Sequence, residues 1–164
     1  RMPDVLARVE EHLGMGAQQS VAARANSLLL SADNGHAVHP NHPEKSDPEH
    51  PITLGGGVVI KYNASQKYTT NAFTAALFTE ICDGAEVATQ VFYNRADLPG
   101  GGTLGNLLSH QIAIPMLDIG LAQLAMHAAV ETANLADAAQ MAKAVTAVYD
   151  ANFTQTDDGI WSLQ

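Results

Sequence analysis

The chain has 164 residues, of which 46% are hydrophobic and 15% charged. That is enough for one domain burying roughly 70% of its unfolded surface, and it excludes a disordered tail, a coiled coil and a collagen-like repeat. The formal net charge of −9 disfavours nucleic acid or an anionic membrane as partner.

In chain order, Val5, Leu6, Val9 and Leu13 recur at helical spacing after Pro3, and Gly14 supplies a stop. Gln18 to Arg24 reads as a second short helix. Ser27 to Asp33 is a short apolar run ending in a polar residue, a buried strand. Asn34 to Pro51 holds four prolines and the histidines His36, His39, His42 and His50, so it is neither a helix nor a central strand. A structureless connection of that length is usually functional. Gly55-Gly56-Gly57 then releases the chain into a second strand, Val58 to Tyr62.

Thr70 to Asp83 is predicted to be an amphipathic helix with Phe73, Ala76, Leu77 and Ile81 on one face. Val87 to Tyr93 is a third strand. A Gly-rich loop, Asp97 to Thr103, leads to a helical turn over Leu104 to His110. Ile112 to Ile119 supplies a fourth strand, delayed by Pro115, and Asp137 to Phe153 a final helix facing inward through Met141, Val145 and Val148. Helices alternating with short β-rich runs predict an α/β fold, a layered sheet with helices on both faces. No internal repeat or interdomain linker is visible, so one domain or part of one is expected.

No apolar run approaches the ~20 residues of a membrane span. Cys82 is the single cysteine, so disulfides do not organise the fold, and a cytoplasmic location is the simplest expectation. Arg1 stands where an initiating Met would, and no signal-peptide pattern follows, so the chain reads as a piece of a longer protein.

Several residues carry chemistry in principle. Asp33 falls at a strand end, where ligand sites collect in α/β sheets. A carboxylate followed by a His-rich loop suggests a metal; the simpler alternative is a turn begun by Asp33-Asn34-Gly35. The histidine spacing matches no structural zinc pattern, and exposed loop histidines are the simpler reading. His127, among small apolar residues, is by composition a core histidine before it is a ligand. The 30 residues from His50 to Thr79 contain no acid, where about three would be expected at the chain average. Lys61 and Lys67 lie there beside Tyr62 and Tyr68, a plausible seat for a carboxylate or merely a buried strand. Gly55-Gly56-Gly57 lacks a phosphate-loop lysine. Gly100-Gly101-Gly102-Thr103 reads equally as an oxyanion-binding loop or a flexible turn.

Four segments together go further. Ser31-Ala32-Asp33-Asn34-Gly35-His36-Ala37-Val38-His39-Pro40-Asn41 resembles a signature of the aspartyl aminopeptidases, zinc metallopeptidases that remove acidic N-terminal residues. Val59 to Asn63 with Gln66 to Thr70, Asp97 to Gly105, and Leu117 to Gly120 with Gln123 to His127 are similar to that family's later segments, in order and spacing. The resemblance runs from about Asn26 to Ala133. It implies that Asp33 is a zinc ligand, that His127 ligates the second of two zinc ions, and that His36, Lys61 and Tyr68 contact substrate. It implies peptide substrates with acidic N-termini and a large homo-oligomer for the full-length protein.

The family also needs a further metal-binding His, a bridging Asp and a Glu-Glu pair whose first member is the general base. Glu10-Glu11 is the one acidic pair of that kind here, and it reads as a solvated helix face. Residues 1–164 are therefore expected to be the C-terminal part of the catalytic domain, with no catalytic residue of their own and the general-base Glu upstream. The inserted oligomerisation domain has no counterpart. The competing expectation is a non-catalytic α/β assembly or binding module that keeps the fold without the full metal site. A third is a related metallohydrolase with another substrate.

Overall fold

The chain opens with helices α1 (Met2–His12) and α2 (Ala17–Ala25), and the turn between them uses Gly14 at a φ of +69°. Proline in the first turn of α1 removes no needed N–H. Arg24 clamps the two helices together, donating through Nε and an Nη to both oxygens of Glu10 at 2.7 Å. The solvated face expected for Glu10-Glu11 therefore holds for Glu11, which is exposed, and fails for Glu10. The Arg24 guanidinium keeps the Glu10 carboxyl below its ordinary range.

The computed structural model describes residues 1–157 and 160–163. Along it run β1 (Leu29–Ala32), β2 (Gly35–His36), β3 (Val58–Tyr62), α3 (Ala72–Gly84), β4 (Thr89–Tyr93), α4 (Leu104–Ser109), β5 (Met116–Gly120), β6 (Ala122–Leu124), β7 (Thr132–Ala133), α5 (Leu135–Asp150), β8 (Phe153–Asp157) and β9 (Ile160–Leu163). The main sheet has the order β1-β5-β3-β4. Within it β1 runs parallel to β5 and β3 parallel to β4, while β3 and β5 are antiparallel. Pro115 sets the late start of β5, as expected: it has no N–H for a ladder, but its carbonyl accepts from Leu29 N at 2.9 Å.

Strand alternation divides the residues between two faces. Val58 and Ile60 of β3 and Leu117 and Ile119 of β5 pack with Ala75, Phe78 and Cys82 of α3 and Ala144 of α5. Each large apolar side chain buried there contributes about 1.5–3 kcal/mol. Val59, on the opposite face, joins Ala37, Ile52 and Ala122 in a smaller cluster. On that second face Gly105 of α4 packs against Ser31 and Asp118 so closely that a Cβ would meet the Ser31 side chain. Helices thus cover both faces, and the layered α/β arrangement is the one found.

Two expected helices differ in detail. The buried arc of α3 is Thr74, Ala75, Leu77, Phe78, Ile81 and Cys82, leaving Ala76 exposed. The last helix stops at Asp150, because Ala151 turns extended (φ −68°, ψ 131°) and Phe153 begins a hairpin. The reason is aromatic packing: Trp161 sits 6.0 Å from Phe153 and 4.8 Å from Phe73, ring centre to ring centre, tying β8 and β9 to α3.

The turn before β3 is built rather than loose. Asp137, buried in the first turn of α5, accepts from Gly55 N at 2.7 Å and Gly57 N at 2.9 Å. Gly57 has a φ of +96°, and any Cβ there would collide with the Ala88 carbonyl. Gln90 closes the turn from outside, exchanging hydrogen bonds with both backbone groups of Thr53 at 2.9 and 3.0 Å. Two of this loop's amides are therefore committed to a carboxylate of the chain itself, which leaves no phosphate cradle.

Candidate active-site cavity

A cavity of about 590 Å³ collects residues from separate stretches of chain, among them Asp33 and His36, Lys61, Tyr68, Phe92 to Arg95, Leu98 to Gly102, and Gln123 to His127. Its floor is the second face of the main sheet. Register places Ser31 beside Asp118, and Lys61 beside Phe92. Alternation puts Asp118 and Lys61 on the same face of neighbouring strands, so a polar row crosses the sheet under the cavity.

Asp33 owes its position to a break between two sheets. β1 and β5 run parallel up to Ala32 and Ile119, and β2 and β6 resume the parallel pairing at Gly35 and Ala122. Between them the backbone bonds Asp33 N to Ile119 O (2.9 Å) and Gly35 N to Leu121 O (2.8 Å) persist, and a side chain completes the bridge: Asn34 Oδ1 accepts from Leu121 N at 3.1 Å, and its Nδ2 donates to Gln123 Oε1 at 2.6 Å. Gly120 stands against the Asp33 carbonyl, where a Cβ would not fit. The Asp33 side chain is left 57% exposed, facing the cavity.

Lys61 is 1% exposed. Its ammonium donates to the carbonyls of Asp33 at 2.9 Å and Asn34 at 3.4 Å, lies 3.5 Å from the Asp33 carboxylate, and sits 4.8 Å from the centre of the Tyr68 ring. Burial pushes its pKa down, while the negative charges of Asp33 and Asp118 oppose that shift. Tyr68 is buried with its hydroxyl donating to Asn94 Oδ1 at 3.3 Å, and burial raises its pKa.

His127 is exposed in the turn after β6, at a φ of +70°, with its backbone N–H donating to Glu131 Oε1 at 2.6 Å. It is not the core histidine that its small apolar neighbours suggest. The loop histidines His36, His39, His42 and His50 are exposed, as the simpler reading has them. Two of them face acids, His42 beside Glu44 at 3.2 Å and His50 beside Asp47 at 3.5 Å.

Asp33 and His127 thus open into the same cavity, with His36, Lys61 and Tyr68 around them. As donor types a carboxylate and an imidazole suit zinc. Among the described residues no group of three or more His, Cys, Asp or Glu side chains could hold a metal ion, so this chain fits the metal as a contributor of part of a ligand set. Also among the described residues, no helix is long and apolar enough to cross a membrane.

Sequence reasoning missed Asn34, Asn94, Phe92 and Asp118 as parts of this region. Asp118 had a signal: an acid in the middle of the apolar run Met116 to Ile119 is costly in a buried strand. Asn94 and Phe92 carried none, since their role depends on the parallel pairing of β3 with β4.

A layered α/β protein thus gathers a carboxylate, imidazoles and a buried lysine over one sheet face, groups that can bind and polarise a ligand. Residues 2–149 match the model of the family described as aminopeptidase I zinc metalloprotease (M18), and the chain belongs to that family. It is 44% identical over 123 residues to a probable M18 family aminopeptidase 2 of Pseudomonas aeruginosa, covering 75% of this chain and 29% of that protein. A probable M18 family aminopeptidase 2 of Mycobacterium tuberculosis is 38% identical over 154 residues, 94% of this chain and 36% of the relative. The chain therefore spans about a third of the length of the curated relatives it matches. Among solved structures, the complex of Ape4 and Nbr1 superposes with a TM-score of 0.80 at 32% identity, covering 90% of this chain and 29% of the matched one. Yeast aminopeptidase 1 does so at 0.69 and 27%, covering 80% and 28%.

Proposed function

We propose that this chain is the C-terminal portion of the catalytic domain of a dinuclear zinc aminopeptidase that removes Asp or Glu from peptide N-termini. The observation that carries this reading is the convergence of Asp33, His36, Lys61, Tyr68 and His127 on one cavity within an M18 family chain. Asp33 and His127 would each hold one of two zinc ions, the remaining ligands and the general-base Glu coming from the rest of the protein. When bound, such a pair of ions supplies Lewis-acid polarisation of the scissile carbonyl and a more acidic attacking water.

The chain's own residues do the rest. Lys61 spends two donors on the Asp33 and Asn34 carbonyls. The Asp33 carboxylate stands 3.5 Å from the same ammonium, and a substrate carboxylate would share that charge, a contact that burial strengthens. Tyr68 and His36 offer hydrogen bonds to the substrate carboxylate or to the oxyanion that develops on its carbonyl. Phe92 and Tyr93 line the cavity with aromatic surface.

This reading places the full-length protein in the cytoplasm as a homo-oligomer, supported by the solved dodecamer of yeast mApe1, 27% identical over its matched part. It also makes the isolated chain inactive, with weak zinc binding, since a catalytic zinc normally takes three protein ligands. The test is to assay the full-length protein on peptides differing in the N-terminal residue alone, Asp, Glu, Ala and Leu, before and after metal removal. Preference for Asp and Glu that disappears with the metal supports the reading. Equal rates on all four, or rates indifferent to chelation, reject it. A tight stoichiometric zinc site on residues 1–164 would show that the ligand set is misassigned.

A further inference from the structure

Asp118 stands at the centre of the main sheet and is 0% exposed, in a strand otherwise made of Met116, Leu117, Ile119 and Gly120. Burying a carboxylate in such a strand costs several kcal/mol unless it is well bonded. Its Oδ2 accepts two short hydrogen bonds from a single residue, from Thr69 N at 2.6 Å and from Thr69 Oγ1 at 2.8 Å. The next residue repeats the grip on the backbone: Thr70 Oγ1 accepts from Asp118 N at 3.0 Å and donates to Asp118 O at 3.4 Å. Four hydrogen bonds thus pin Thr69 and Thr70 to one position of β5.

The pinned residues are the continuation of Tyr68. The connection before them, Asn63 to Lys67, is a turn in which the Asn63 side chain accepts from Ser65 N at 2.8 Å and Lys67 N at 3.4 Å, with Asn106 Nδ2 donating to Gln66 O at 2.6 Å and Lys67 Nζ to Gly100 O at 2.7 Å. Those bonds hold the exposed turn, whereas the buried hold next to Tyr68 is the Asp118 grip on its C-terminal side, with one 3.3 Å bond from its hydroxyl to Asn94. Lys61, on the strand neighbouring Asp118, rests its ammonium against the Tyr68 ring. A displacement of Thr69 moves the ring, and the ring is one wall of the lysine's seat.

We propose that Asp118 is a positioning residue of the cavity: by gripping Thr69 and Thr70 it sets where Tyr68 and Lys61 stand for the substrate. This rests on the aminopeptidase reading above and adds to it a residue that touches no substrate. Asp118 is hydrogen-bonded to Thr69, the residue peptide-bonded to Tyr68, which makes the effect local rather than a matter of global stability.

The experiment uses the full-length protein with Thr69→Ala, Thr69→Ser and Asp118→Asn. Thr69→Ala removes one of the two bonds to Oδ2 and leaves the amide in place. Asp118→Asn keeps the shape and removes the charge that both Thr69 donors face. We expect Thr69→Ala and Asp118→Asn to lower kcat/KM on an Asp-initiated peptide about tenfold or more, largely through KM, with zinc content unchanged. Thr69→Ser should recover most of the loss. Hydrogen exchange of the segment 63–70 should quicken in Thr69→Ala and Asp118→Asn and not in Thr69→Ser.

A purely structural Asp118 would instead lower the thermal midpoint and the active fraction while leaving KM alone, which overturns the proposal. Wild-type kinetics together with wild-type exchange in Thr69→Ala and Asp118→Asn overturn it as well. A wild-type protein inactive on every N-terminal peptide overturns the aminopeptidase reading and this proposal together. That outcome is distinct from failure of the grip alone, in which the wild type is active and the variants match it.

Discussion

Lys61 and Asp33 meet twice: the ammonium donates to the Asp33 carbonyl at 2.9 Å and lies 3.5 Å from its carboxylate. One side chain from the middle of the sheet therefore secures the residue at the sheet break through both its carbonyl and its carboxylate. In the full-length protein, Lys61→Ala should cost an Asp-initiated peptide far more than an Ala-initiated one. The loss of a charge-assisted hydrogen bond in a desolvated pocket is ~2–4 kcal/mol, roughly 30- to 1,000-fold in kcat/KM. Matched peptides with a thermal melt as folding control measure it. Equal losses on both would make Lys61 a strap for Asp33 and nothing more.

Asp137→Ala should destabilise the chain by about 2–4 kcal/mol, because two amides, Gly55 N and Gly57 N, lose their acceptor together. Asp137→Asn, which keeps one acceptor oxygen, should cost less. Equilibrium unfolding in urea orders the three proteins. An Ala variant as stable as the parent would mean that water replaces the carboxylate without penalty.

Gly57→Ala combines an unfavourable φ with a collision against the Ala88 carbonyl. Overpacking of this kind costs about 1–3 kcal/mol, and the backbone strain adds to it. Gly101→Ala, where a Cβ meets no atom within 4 Å, is the control and should melt like the parent. A common melting temperature for the two variants would contradict the close approach.

Cys82 is buried against α3's own core neighbours, and burial raises its pKa from 9.0 to about 11. The thiolate is the reactive form, so the folded chain should resist an alkylating reagent at pH 8 and react on unfolding. The sign of the stability effect follows. A thiol held protonated in the fold contributes stability that is present below about pH 9 and is lost as pH rises through about 11. Denaturation midpoints across pH 8 to 11 should therefore fall on the alkaline side more for the parent than for Cys82→Ala. Parallel curves would remove the assignment.

What the sequence made legible follows physical rules that act locally. Val58 to Tyr62 appears as the strand it was expected to be, because β-branched residues follow a glycine turn, and Pro115 marks where β5 cannot yet begin. Asp33 at the end of β1 and Lys61 in the acid-free stretch were both readable as candidates. The exposure of His127 was not, since it follows from a positive-φ turn at Ala125 and His127 that no pattern of apolar neighbours announces. Nor was the hairpin of β8 and β9, whose support comes from Phe73, eighty residues earlier in the chain than Phe153. Asp118 illustrates the general case: its type and place were visible, but its partners Thr69 and Thr70 are reached through sheet geometry alone.

The alternation of β3 has one more consequence, for how the sheet assembles. Val58 and Ile60 face the α3 and α5 layer, and Lys61 faces the cavity. Sliding β3 by a single residue against its neighbours would turn Lys61 into that apolar layer, where no carbonyl of Asp33 or Asn34 waits for it, and turn Ile60 toward polar Asp118. The misaligned pairing would bury an uncompensated ammonium, which is strongly unfavourable. A lysine proposed to meet substrate would thus also be the residue that disfavours the wrong alignment of the central strands.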